Sequence, residues 1–136
     1  MITQTQTVSF RKEILDAIHD LVADTLKFAL YTSSADLDED TTAYSTTNEI
    51  TGTGYSAGGV TLTGVTINSL NNVVYVSFDN PAWDPAAFTA AGGLIYNSSK
   101  SDRSIAVISF GNDKTATATF TVQMPSNTYT TALLRF

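Results

Sequence analysis

Near the N-terminus apolar residues recur at three- and four-residue spacing: Phe10, Ile14, Leu15, Ile18, Leu21 and Val22. That spacing predicts an amphipathic helix, with Arg11, Lys12, Glu13, Asp16 and Asp20 mostly on the opposite face. Ser9 is the expected N-cap, and Asp24-Thr25 the expected end, because both residue types favour local side-chain bonds over helix continuation. From Leu26 the period changes to two. Leu26, Phe28 and Leu30 alternate with Lys27, Ala29 and Tyr31, which predicts a strand. Residues 60–67, 73–79, 90–97, 105–110, 117–124 and 131–136 read as further strands, and 44–51 as either irregular or a short strand. Turn signals separate them: glycines over 52–59, Asn71-Asn72, the loop 80–88 with Pro81 and Pro85, then 98–104, 111–114 and 125–130.

This pattern predicts a mainly β chain, a β-sandwich or jelly-roll-like domain of about seven or eight strands with one N-terminal helix. Residues 1–9 read as an N-terminal arm, either flexible or an edge strand, and residues 10–136 as a single domain. The arm could order only on assembly, as segments that fold on binding do. At 136 residues the chain is long enough to bury a core of its own.

Composition narrows the function classes. Only 15% of residues are charged, against roughly 25% in ordinary soluble domains. A surface of Thr, Ser and Asn suits both β-rich domains and proteins that pack against neighbours. The net charge is -6 and the seven basic residues are scattered, so no nucleic-acid partner is expected. No cysteine is present, which removes disulfides and thiolate metal sites. The opening Met1-Ile2-Thr3-Gln4 lacks the basic and apolar regions of a signal peptide, and no run of about 18 apolar residues exists, so no membrane span is expected.

Candidate chemistry is thin. Asp36, Asp38, Glu39 and Asp40 could offer oxygens to calcium, but Thr41 and Thr47 stand where an EF-hand loop needs Gly and Glu; a solvated acidic loop fits better. His19 is the only histidine, without a second soft ligand and without a Gly-x-Ser-x-Gly elbow elsewhere, so a structural or surface role is expected. Gly52-Thr53-Gly54 and Gly58-Gly59 lack the Lys and the following helix of a phosphate loop. Around Trp83, Asp79 and Asp84 could line a ligand pocket, or the Trp could fold back to cap the core. No enzyme activity, cofactor or metal is therefore expected. The candidate interface residues are Tyr44, Tyr55, Trp83 and Phe136, since aromatic residues are enriched in interfaces and a chain ending on Leu133-Leu134-Arg135-Phe136 is either paired in a sheet or docked on a partner.

Two stretches carry a family resemblance: 26–35, and Asn48-Glu49-Ile50-Thr51-Gly52-Thr53-Gly54-Tyr55 continuing to Gly59. Together with Phe78-Asp79-Asn80-Pro81-Ala82-Trp83, Gly93-Leu94-Ile95-Tyr96-Asn97 and Phe110-Gly111-Asn112-Asp113-Lys114, they make residues 10–136 resemble small structural proteins of tailed bacteriophages. The resemblance implies a virion component assembled in the host cytoplasm, with capsid cement or decoration as the leading role. Its partners would be the major capsid protein or other virion proteins, and it would act as a homo-oligomer, a trimer among the options. A tail or head-to-tail connector component is the alternative. A sandwich that binds carbohydrate or a receptor, with Trp83 as its stacking platform, is a further one.

Overall fold

A computed structural model describes all residues 1–136. The chain is mainly β, with antiparallel sheets packed as a sandwich and one short helix near the N-terminus. The elements are β1 (Thr5–Gln6), α1 (Val8–Leu15), β2 (Leu26–Tyr31), β3 (Val60–Thr61), β4 (Thr66–Leu70), β5 (Val73–Ser77), β6 (Ala82–Trp83), β7 (Phe88–Asn97), β8 (Arg103–Ala116), β9 (Phe120–Thr121) and β10 (Leu134–Arg135). They form a five-stranded sheet in the order β1-β8-β7-β2-β3, a three-stranded sheet β10-β5-β4 and a β6-β9 pair.

The five-stranded sheet is covered on both faces. From β2, Leu26, Phe28 and Leu30 enter the main core with Phe10, Val76, Trp83, Phe88, Phe120 and Leu134. Ala29 and Tyr31 face the other way, against Leu94, Tyr96 and Val107, where Ala35 and Leu37 of the long β2–β3 connection cover them. The alternation expected for residues 26–31 is therefore present, but of both faces only Lys27 reaches water. Both sides are apolar because each has a cover.

The helix is half the expected length. It starts two residues early on the Thr7 cap, whose Oγ1 accepts from the Phe10 N–H at 3.3 Å, while the Ser9 hydroxyl turns to Ser104 instead. It stops at Leu15, and Ala17 takes φ +59°. Beyond it, carboxylates take the amides that a helix would use: Asp20 Oδ1 accepts from the Val22 and Ala23 N–H groups, and Asp24 Oδ2 from the Asp20 N–H. The apolar stripe consequently breaks up, leaving Leu15 and Val22 exposed.

Residues 1–9 are not a separate arm. The Met1 amino group donates to the Ala35 carbonyl at 3.0 Å, Thr3 and Leu37 bond through their backbones, and β1 pairs with Ala106 and Val107 of β8. Of the two readings of this segment, the edge strand is the one realised. Residues 60–67 are not one strand: the chain bends at Gly64, φ +65°, between β3 and β4. Asn71 and Asn72 form the expected two-residue turn, both at positive φ, as a type I′ hairpin requires. Gly111 to Lys114 do not reverse the chain. They bulge within β8, where Ala90 and Gly92 of β7 face Lys114 and Ser109. Only Phe120 and Thr121 of the stretch 117–124 are strand, paired with β6.

Phe28 has no exposed surface, and its ring lies so close to Gly93 that a methyl group there would sit 2.4 Å from it. Phe28→Ala is expected to destabilise the fold by about 3–5 kcal/mol, as large-to-small changes of core aromatics do. Urea titration reads this as a lowered midpoint at unchanged slope.

Candidate functional site

Glu49 is the only charged residue between Asp40 and Asp79. Its carboxylate gathers the long β2–β3 connection. Tyr44 Oη donates to Oε2 at 2.5 Å, Tyr55 Oη to Oε1 at 2.9 Å, and the Gly58 N–H to Oε1 at 2.7 Å. The Tyr55 hydroxyl also accepts from the Leu30 N–H of β2 at 3.0 Å, and the Ile50 N–H donates to the Leu30 carbonyl. Past the two residues of β3, the open edge of β2 is thus closed by a side chain and a loop amide.

Two more tyrosines complete this clasp. Tyr31 Oη donates to the Ser45 carbonyl at 2.6 Å, and Tyr96 Oη to the Gly58 carbonyl at 2.7 Å. Tyr44 stacks on Tyr96 with ring centroids 4.6 Å apart. Gly59, at φ +77°, passes so close to β2 that a Cβ would fall 1.8 Å from the Phe28 carbonyl oxygen. Gly54, at φ +85°, comes as close to the Pro85 carbonyl. The glycines of 52–59 serve backbone approach, and the tyrosines anchor what approaches.

Burial pushes the phenols of Tyr31, Tyr44 and Tyr55 well above the usual tyrosine range, and the Glu49 charge adds to it. Tyr96 is pushed up to about 12, by burial first and then by Asp102 and Glu49. All four therefore remain hydrogen-bond donors at neutral pH. The arrangement holds a loop; its hydroxyls point at acceptors of the same chain.

Of the four candidate interface residues, Tyr44 and Tyr55 are half-buried in this clasp. Trp83 is only 4% exposed and cannot serve as a surface platform without unfolding its loop. Its ring lies among Phe28, Tyr55, Phe88 and Phe120, and its Nε1 has no oxygen or nitrogen partner. Phe136 alone faces solvent, at 46%. Its ring stands 6.1 Å from that of Phe10, and its backbone pairs with Val74.

The other charged cluster is structural. The His19 side chain is fully buried, 5.3 Å from the Phe10 ring. Asn97 Nδ2 lies 2.7 Å from Asp24 Oδ2 and 3.0 Å from His19 Nδ1, and Asn97 Oδ1 accepts from the Ser99 N–H. These partners fix the amide orientation, so Nδ1 of His19 accepts and its Nε2–H donates to Glu13 Oε1 at 3.0 Å. Arg103 Nη1 donates to Glu13 Oε2 at 2.7 Å. Burial alone would raise the Glu13 pKa, but the His19 and Arg103 bonds outweigh it and hold it below the usual range. Both ring nitrogens of His19 are committed, which makes it a structural histidine. In the acidic loop, Asp38 Oδ1 accepts from the Asp40 N–H, and no three acidic or histidine side chains converge as a metal site would need.

What remains for function is the surface. Leu15, Val22, Ile67, Leu70, Val74 and Phe136 are exposed. Several of them line a cleft of about 640 Å³ between the end of α1 and the β10-β5-β4 sheet, whose polar lining is limited to His19 and Asp20.

Glu49→Ala strands two phenols and one amide. The expected cost is about 1–3 kcal/mol, with faster hydrogen exchange at Leu30 and Gly58, while Glu49→Gln retains an acceptor and loses less. A second expectation concerns pH. A raised folded-state pKa gives stability that is complete below the unfolded tyrosine value of about 10 and is lost as pH rises through the folded values. Stability measured by urea titration should therefore hold up to about pH 10 and fall above it, and an unchanged midpoint at higher pH would refute the burial of these phenols.

Comparison with protein-family models, with curated proteins and with solved structures finds no match.

Proposed function

We propose that this protein is a structural component of a tailed-bacteriophage virion that works by protein–protein contact, with decoration of the capsid as its specific role. The observation that supports contact as its work is the exposed apolar surface beside the β10-β5-β4 sheet, where Leu15, Ile67, Val74 and Phe136 line one cleft and all meet solvent. Exposed apolar area of this kind, when contiguous, marks interaction sites. Its β4 and β5 residues lie in a run that is uncharged from Ile50 through Phe78, so a partner docking on those two strands would desolvate no charge of this run, with Asp20 the one carboxylate in the cleft lining. The virion setting rests on the sequence resemblance of residues 10–136.

The candidate polar clusters fit this reading, because their groups are spent on one another. Glu49 is saturated by donors from its own loop, and His19 is enclosed by Glu13 and Asn97. The carbohydrate reading required an accessible Trp83 and loses that support.

Deleting the gene from its phage should yield particles that lack one protein and inactivate faster on heating and on dilution. Electron microscopy of the intact virion should place the chain on the outer face of the head. Deletion particles with a full protein complement and wild-type resistance would overturn the proposal, and density confined to the tail would move the role to the alternative component.

A further inference from the structure

The edges of the sheets are managed unequally. Where β1 leaves β8, the Ser109 N–H is taken by the Gln4 side chain at 3.3 Å. On β10, the outward Arg135 carbonyl accepts from Gln6 Nε2 at 3.3 Å. On β2, Tyr55 and Ile50 close the edge beyond β3. The edge of β4 has no such cover for its backbone; the one contact from outside β5 is Asn127 Nδ2 donating to the Thr66 side-chain Oγ1. All five of its residues, Thr66-Ile67-Asn68-Ser69-Leu70, are exposed, and no backbone group outside β5 bonds to them. Nor does this edge carry the usual protections, since it has no charge, no proline and no bulge.

Its free groups can be identified. Val74 of β5 exchanges both backbone bonds with Phe136, so Val74 points toward β10. In an antiparallel ladder the residue opposite, Ser69, then points away from β5, and so does Ile67 opposite Val76. The outward donors and acceptors of β4 are the N–H and C=O groups of Ile67 and Ser69.

The geometry points to a two-fold dimer in which β4 pairs antiparallel with β4 of a second copy, the axis passing at Asn68. This register sets Ile67 opposite the partner's Ser69, and Ser69 opposite the partner's Ile67. Each of those two pairs closes two bonds, so four inter-chain bonds satisfy every outward group of both strands, with none left over. Shifting the register by two residues in either direction, so that Ile67 or Ser69 lies on the axis, loses half of them. The two three-stranded sheets become one continuous six-stranded sheet. Self-complementarity of this kind is what a two-fold interface requires. Charge favours the same occupant: in a chain of net charge -6, the uncharged run from Ile50 to Phe78 is where two copies approach with least repulsion. Ile67 also places its exposed apolar side chain at the junction, with Val74 one strand behind it on β5. This pairing stands on the strand edge and holds whether or not the chain belongs to a virion, so its failure leaves the deletion experiment untouched.

Light scattering coupled to size exclusion tests it on the full chain. The expected mass at tens of micromolar is twice the 14.5 kDa of one copy. Ser69→Pro removes only an outward N–H, a place where an edge strand tolerates proline, and should halve the mass with the far-ultraviolet circular dichroism unchanged. Ser69→Lys should do the same and guards against a folding defect of the proline variant. The register has its own readout. The two Asn68 residues face each other as a non-hydrogen-bonded pair, with Cα atoms about 4.5 Å apart, within disulfide range. In a chain without other cysteines, Asn68→Cys should cross-link to a dimer on mild oxidation, whereas Thr66→Cys and Leu70→Cys, each opposite the other's position, should not. A monomer at hundreds of micromolar, a dimer that both Ser69 variants retain, or cross-linking without preference for position 68 would each overturn the proposal. A wild-type monomer that pairs through β4 only with a different protein would overturn it as well.

Discussion

One carboxylate fixes the course of the longest connection in the molecule. Between β2 and β3 the chain must cover the second face of the five-stranded sheet and then return to the edge of β2. The first part of the connection is held by the Met1 and Thr3 bonds to Ala35 and Leu37; past Asp40 it is a run of mostly Thr, Ser, Gly and Tyr with Glu49 as its one charge. Glu49 gathers this run by accepting from Tyr44, Tyr55 and the Gly58 amide together. Once it is set, Tyr44 lies on Tyr96, Ile50 and Tyr55 reach Leu30, and Gly59 slides against Phe28. The covered face then explains why β2 and β7 are apolar on both sides, and why the main core and the smaller one share a single sheet.

A different balance holds at the opposite face. There the β10-β5-β4 sheet and the β6-β9 pair close the main core with few strand residues each. Val76 and Leu134 go fully inside, but Ile67, Val74 and Phe136 on the same sheet remain half-covered because α1 ends at Leu15. The shortened helix is therefore what opens the apolar cleft. Past Leu15 the Asp20 and Asp24 side-chain bonds hold the chain in turns, and Ala17, His19, Asp20 and Leu21 line the cleft in place of a continued helical stripe.

Much of the fold was legible in the pattern of residues. The period-two runs at 26–31 and 90–97 are strands, 73–79 is strand as far as Ser77, the Asn71-Asn72 turn is where its chemistry places it, and the glycines of 52–59 do take positive φ at Gly54, Gly58 and Gly59. What misled was information that is not local. The stripe from Phe10 to Val22 has helical spacing, but the partners of His19 and Asp24 are Glu13 and the distant Asn97, and those contacts end the helix. Gly111-Asn112-Asp113-Lys114 has turn composition whether the chain reverses or bulges, and only the pairing with β7 decides. Trp83 was ambiguous between surface and core for the same reason. Glu49 was missed; the one signal for it in the sequence is a single charge in a long uncharged stretch rich in Tyr and Gly.

Trp83 has a practical consequence. It is the chain's only tryptophan, enclosed by four aromatic rings and without a polar partner for its indole nitrogen. Its emission is thus a native optical gauge of core integrity, arising from one site in one environment. Because it belongs to the β6-β9 pair and not to the sheet with the bare edge, this gauge registers loss of the fold and stays silent to what joins the surface. Folding and association can be followed separately in the same unlabelled sample.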